Sequence, residues 1–157
     1  MPYKIVLLDI RPAATLSALL RIWEGAVRAT HDFLAESDIE QLLPLVEQGL
    51  KEVPKLAVVR DEAGDGAGAE LGFIGLDDDG GKKIAMLFID PARHGQGLGR
   101  RLVEFAVRRM GATLVDVNEQ NTQGVGFYHR LGIERFARSP LDGQGRPFPV
   151  LHLRLAK

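Results

Sequence analysis

The stretch from Lys83 to Gly111 constrains the chain more than any other. Lys83-Ile84-Ala85-Met86-Leu87-Phe88-Ile89-Asp90 is apolar almost throughout, as a centrally buried strand would be. Through Pro91 it enters Gly95-x-Gly97-x-Gly99 and then a helix with apolar face Leu98, Leu102, Phe105 and Ala106, which Gly111 ends. A buried strand that feeds an amphipathic helix calls for a sheet with helices packed on it. The loop between them carries chemistry. A helix N-terminus exposes unpaired amides and a partial positive charge. Glycines let backbone approach an anion closely. The arrangement suits a phosphate or pyrophosphate, with Arg93, Arg100 and Arg101 available to add charge.

The surrounding pattern fills in a single domain of 157 residues. Residues 3–9 read as a short strand. A helix follows with Leu16, Leu19, Leu20, Trp23 and Val27 on one face. Thr30-His31-Asp32-Phe33-Leu34 breaks the pattern. Ser37 and Glu40 then have the spacing of a capping box for a second helix, which Pro44 should kink or split. Strands follow at Leu56–Val59 and Leu71–Leu76, joined by a glycine- and acid-rich hairpin loop, residues 61–70. Asp77-Asp78-Asp79-Gly80-Gly81 makes the next turn and lacks the alternating oxygen ligands of a calcium loop. Beyond Gly111 come a strand at Thr113–Val117, a helix at Asn121–Leu131 closed by Gly132, a strand at Glu134–Arg138, and a half-exposed strand in which Leu151, Leu153 and Leu155 alternate with His152 and Arg154. The order is β-α-α-β-β-β-α-β-α-β-β, an α/β (α+β) mixed sheet with helices on its faces.

Which phosphate-bearing ligand the loop takes is narrowed by what is absent. No Gly-Lys-Ser/Thr is present, so the loop is not a P-loop. The dinucleotide fingerprint needs a glycine where Arg100 stands. Two further segments decide the matter. His94-Gly95-Gln96-Gly97-Leu98-Gly99, after Leu87-Phe88-Ile89-Asp90-Pro91, resembles motif A of the GCN5-related N-acetyltransferases, the GNAT family. His94 stands where that family has Arg or Gln. Asn121-Thr122-Gln123-Gly124 through Phe127-Tyr128 to Gly132-Ile133 resembles motif B, with Gly124 for the commoner Ala and Ile133 for Phe. Thr30-His31-Asp32-Phe33-Leu34, Val117–Asn121 and Gly145–Leu151 are similar to the bacterial YjaB-type branch of the family.

The resemblance implies a GNAT-like acyltransferase fold and transfer of an acetyl group from acetyl-CoA to a primary amine, of a protein lysine or a small molecule. It implies that the amides of Gly95, Gln96, Gly97, Leu98, Gly99 and Arg100, beside His94, hold the CoA pyrophosphate. The strand 86–90 would splay from the strand 113–117. Pantetheine would lie along Leu87, Phe88 and Ile89, and an amide of Leu87 or Phe88 would face the thioester oxygen as an oxyanion donor. Tyr128 occupies the family's general-acid position, and a phenol with a reference pKa near 10 is protonated at neutral pH. Asn121 lies seven residues before Tyr128, two helical turns, so both flank the CoA arm. For the base, His31 has a suitable intrinsic pKa, with Asp32, Glu24 and Glu119 as further candidates.

Composition agrees with this reading. Twenty Lys and Arg against 21 Asp and Glu give a formal charge of −1, which argues against a nucleic-acid partner. The absence of cysteine removes a thiolate nucleophile and Cys-ligated metals. His94, His129 and His152 have no metal-ligand spacing, so no metal is expected. No apolar run is long enough for a bilayer, and residues 1–9 do not read as a signal peptide, so a cytoplasmic protein without membrane contact is expected, as a monomer or homodimer. A non-catalytic acetyl-CoA-binding sensor or complex subunit is the alternative; the glycine loop alone would also allow another kind of nucleotide-binding protein.

Overall fold

The computed structural model describes residues 3–31, 33–61, 69–77 and 82–155. Its elements are β1 (Tyr3–Leu7), α1 (Ala13–Thr30), α2 (Glu36–Glu52), β2 (Lys55–Asp61), β3 (Glu70–Asp77), β4 (Lys83–Ile89), α3 (Leu98–Phe105), β5 (Leu114–Asn118), α4 (Thr122–Arg130), β6 (Glu134–Ser139) and β7 (Val150–Arg154). The order is the one read from the sequence. Seven strands form one sheet in the order β1-β2-β3-β4-β5-β7-β6. All neighbours are antiparallel except β4 and β5, the parallel pair. The hairpin residues 62–68 and the turn residues 78–81 lie outside the described residues.

Strand alternation divides the core between the two faces. Leu56, Val58 and Phe73 meet Leu19, Trp23 and Val27 of α1 and Ile39 and Leu50 of α2. Ala57, Val59, Ile74, Ile84, Val115, Leu151 and Leu153 meet Leu98, Leu102 and Tyr128 of α3 and α4. β2 is buried on both sides, which is why it reads as an uninterrupted apolar run. Each buried Leu or Val side chain contributes roughly 1.5–3 kcal/mol of transfer free energy.

Three local expectations need correction. The first concerns β4. It is central in the sheet, yet only Ile84 is buried; Ala85 is exposed, and Leu87, Phe88 and Ile89 are half-buried. The cause is the pairing. β4 bonds β3 from Lys83 to Ile89, but it pairs with β5 only at Lys83↔Leu114 and Ile84↔Val115. Beyond Ile84 one edge of β4 faces a gap, as the family resemblance implied.

The second is the start of α2. The N-cap is Ala35, and the Asp38 carboxylate accepts the Ala35 N–H at 2.9 Å. Ser37 and Glu40 are already inside the helix. Alanine has no side-chain acceptor, so this is half of a capping box. The third is Pro44, where α2 continues unbroken to Glu52. Pro44 and Glu40 are both exposed. Water can therefore satisfy the Glu40 carbonyl that proline leaves without an N–H. The helix after the glycine loop does end at Gly111 (φ 77°), but its last turn, Ala106–Met110, widens to π geometry.

Candidate active site

The gap between β4 and β5 opens into a cleft of about 580 Å3. Leu87, Phe88 and Ile89 line one wall, and Asp116, Val117 and Asn118 of β5 the other. The glycine loop closes one end. His31 and Thr30 from the end of α1, with Tyr128 and Asn121 from α4, close the remaining sides.

The three glycines of the loop serve different ends. Gly95 and Gly97 have φ of 80° and 78°, and a Cβ on either would meet nothing within 4 Å. They are glycine because the turn needs the left-handed region, and their surroundings stay open. Gly97 is the N-cap of α3, so the first amides of that helix, which have no partner within the helix, lie at this end of the cleft. Gly99 is glycine because of packing: a Cβ there would stand 3.3 Å from the Phe127 ring. Arg93, His94 and Arg100 line the cleft. Leu98 lines it too, but its side chain is buried in the core, so it presents backbone. Gln96 is not among the lining residues; its Oε1 accepts the Tyr3 hydroxyl at 2.6 Å. Arg101 stacks over the Tyr3 ring at 5.7 Å, away from the cleft. An anionic diphosphate fits this end, through loop amides with guanidinium groups beside them.

Asn121 caps α4, its Oδ1 accepting the Gly124 N–H at 3.1 Å. Tyr128, two turns on, is only 5% exposed and packs edge-on to Phe127 with centroids 5.1 Å apart. Its hydroxyl makes no hydrogen bond among the described residues. Burial pushes the phenol above its ordinary range, so it stays protonated well beyond neutral pH.

His31 is buried, with Nδ1 2.8 Å from Thr30 Oγ1. The Thr30 hydroxyl donates to the Ala26 carbonyl at 2.7 Å. Thr30 Oγ1 is therefore placed to accept Nδ1–H, and that tautomer leaves the lone pair of the ring on Nε2. Two other candidates for a base are engaged elsewhere. Glu119 pairs with Arg138 through both oxygens, at 2.7 and 2.9 Å, and that guanidinium holds its carboxyl below the ordinary range. Glu24 pairs with Arg28 at 3.0 Å. Neither lines the cleft. Asp32 lies outside the described residues.

Beside His31 the connection between α1 and α2 meets the loop 140–149. Phe33 contacts the His31 ring at 5.2 Å and the Phe148 ring at 5.8 Å. Arg146 donates to Gln41 Oε1 at 2.6 Å and lies 3.9 Å from Asp38. Two segments far apart in sequence are thus tied together beside His31.

Asp116 and Arg130 also line the cleft and were not singled out from the sequence. Asp116 holds Lys83 Nζ at 3.0 Å and His152 Nδ1 at 2.7 Å. The alternation of Val115 and Val117 could have exposed it, because a polar residue between two core valines must face the other way. Among the described residues no group of three or more His, Asp or Glu could hold a metal ion. No helix among them is long and apolar enough to cross a membrane.

Comparison with known proteins agrees with this geometry. Residues 54–134 match the model of the acetyltransferase (GNAT) domain. Over 135 residues, 86% of this chain and 88% of the relative, the sequence is 41% identical to the peptidyl-lysine N-acetyltransferase YjaB of Salmonella typhimurium. The solution structure of apo-form YjaB from Escherichia coli superposes with a TM-score of 0.82 at 37% identity, covering 98% of this chain and 97% of that one. A PaiA N-acetyltransferase from Thermoplasma acidophilum, solved in complex with coenzyme A, shares the fold with a TM-score of 0.68 at 16% identity over 99% and 100% of the two chains. The splayed β4–β5 pair, the glycine loop at the start of α3 and these matches have one explanation: the chain belongs to the GNAT family of acetyltransferases.

Proposed function

We propose that this enzyme transfers the acetyl group of acetyl-CoA to the ε-amine of a protein lysine. The observation that carries the reading is Tyr128, a buried side chain whose hydroxyl has no partner among the described residues, in a cleft walled by the free edge of β4. A binding module has no need of a proton donor at that point. The name carried by the 41% identical relative supports lysine as acceptor.

Each role falls to a group of this chain. Amides of Gly95 to Arg100 bind the diphosphate, with Arg93, His94 and Arg100 beside them. The edge of β4 from Leu87 to Ile89 binds the pantetheine arm as an added strand would bind, and one of its amides polarises the carbonyl under attack. Asn121 orients the arm from α4. Bound acetyl-CoA supplies the activated acyl group. His31 takes the proton of the attacking amine on Nε2. Tyr128 donates to the departing sulfur. Its phenol lies above 10, whereas a thiol ordinarily titrates near 8.5. Tyr128 therefore acts first as a hydrogen-bond donor that stabilises developing thiolate.

The test is acetyl-CoA-dependent acetylation of a lysine-containing peptide, located by mass spectrometry, beside thermal stability measured across an acetyl-CoA titration. Acetyl-lysine formation that falls about a hundredfold or more in Tyr128→Phe, with ligand-induced stabilisation retained, is expected. Stabilisation by acetyl-CoA without product on any amine class would leave an acyl-CoA-binding module instead.

A further inference from the structure

Ser139, His152 and Asp116 stand in line on three neighbouring strands. His152 Nε2 is 2.7 Å from Ser139 Oγ, and its Nδ1 is 2.7 Å from Asp116 Oδ1. Strand register brings them together. Asp116 is directly opposite His152, and Ser139 is opposite Val150, two residues along β7. Val115, Val117, Leu151 and Leu153 point into the core. Asp116 and His152 consequently share the other face of the sheet. The core formed by α1 and α2 draws its strand residues from β1 to β4, so it does not cover them. The side chains of His152 and Asp116 are each 26% exposed.

The protons follow from the inventory of donors and acceptors. Ionised Asp116 can only accept, so Nδ1 carries the ring proton and Nε2 is the acceptor for the Ser139 hydroxyl. Lys83 Nζ, 3.0 Å from the second Asp116 oxygen, holds the carboxylate in place. A hydroxyl, a base within hydrogen-bond reach and an acid that orients the base are the parts that activate a serine.

We propose that Ser139 is a second reactive centre, a nucleophilic serine that accepts acyl groups from small activated esters. Ser139 Oγ bonds to the ester carbonyl carbon while its proton passes to His152 Nε2. The bond to the leaving alcohol breaks, and His152 returns the proton to that alcohol. Water then adds to the acyl-serine, gives a proton to His152, and Ser139 leaves with it as the carboxylic acid departs. Asp116 is a positioning residue that acts through His152. These contacts do not include an oxyanion hole, so the substrate class is esters with good leaving groups.

The full-length protein is treated with 4-nitrophenyl acetate, and separately with a fluorophosphonate probe, and adducts are mapped by peptide mass. A single adduct on Ser139 is expected, lost in Ser139→Ala and formed about a hundredfold more slowly in His152→Gln. Asp116→Asn slows adduct formation about tenfold or more, and Asp116→Glu, which keeps the carboxylate, recovers it; a merely structural role would not separate the two. Ser139→Ala retains acetyl-CoA-dependent lysine acetylation, which separates this centre from the transferase reaction. No adduct at Ser139, or one that forms as fast in His152→Gln, overturns the proposal.

Discussion

Gly72 and Gly75 lie on the same strand, yet the substitution Gly→Ala should have unequal results at the two. A Cβ at Gly72 would stand 2.8 Å from the Phe88 carbonyl oxygen and 2.6 Å from Ile89 Cδ1. The Ile89 methyl can rotate away. The carbonyl belongs to the backbone of β4, held in register with Gly72 opposite Ile89. Ordinary contact, at about 3.5 Å, requires β4 to retreat by roughly half an ångström or more. Overpacking of that kind costs about 1–3 kcal/mol. Replacing a strand glycine returns roughly 0.5–1 kcal/mol of chain entropy. The net loss is about 1–2 kcal/mol, or roughly 2–8 °C of melting temperature for a domain of this size. At Gly75 the Cβ would meet Met86 Cε at 2.9 Å and Val53 Cγ2 at 3.4 Å. The tip of a methionine moves easily, so Gly75→Ala should stay within about 1 kcal/mol of the parent. The displaced part of β4 also walls the cleft, so Gly72→Ala should weaken acetyl-CoA binding while Gly75→Ala does not. Thermal and urea denaturation, with calorimetric titration of acetyl-CoA, measure both effects. If Gly72→Ala proved as stable as Gly75→Ala, the argument from backbone approach would be refuted.

Three further outcomes follow from the site. Burial raises the Tyr128 phenol, so its contribution to stability is complete below the unfolded value near 10 and is lost as pH rises towards the folded value; Tyr128→Phe should flatten the fall in stability above pH 10, seen by urea denaturation at stepped pH. His94→Arg places a permanent charge at the phosphate end and should lower the Kd for acetyl-CoA in calorimetry; an unchanged or weaker Kd would remove the assigned role. Tyr3→Phe releases Gln96 and should raise the KM for acetyl-CoA, by at most about tenfold for a hydrogen bond of roughly 0.5–1.5 kcal/mol, with kcat unchanged in steady-state kinetics.

Much of the molecule was legible without coordinates because local chemistry and fold agree. The switch of period from α2 to β2, the glycines at 95 and 97 and the alternation of β7 all carried through. The misreadings have specific causes. Ile84 is core, but Ala85 to Ile89 are apolar while lining the cleft, and an apolar cleft wall has the same composition as a core. Ser37 and Glu40 had the right spacing for a cap, but Asp38 has it too with respect to Ala35, and spacing cannot rank the two. The sequence favoured His31 as the base but left Glu24 and Glu119 as further candidates. Only tertiary pairing shows that Glu119 and Glu24 are neutralised by arginines while His31 opens into the cleft. The Asp116–His152–Ser139 line spans three strands, and no linear spacing encodes it.

The contact of Arg146 with Gln41 and Asp38, and of Phe148 with Phe33, has a consequence for how these two segments can diversify. The two segments form a single inheritance unit. A chimaera that borrows residues 140–149 from a relative leaves the partners on α2 and the α1–α2 connection unmatched, and one that borrows only residues 31–41 fails in the mirror sense. Substitutions across this contact are therefore non-additive, as expected for side chains in direct contact. Viable variants of either segment should arise through paired changes, with single-site libraries on either half returning mostly weakened versions of the parent.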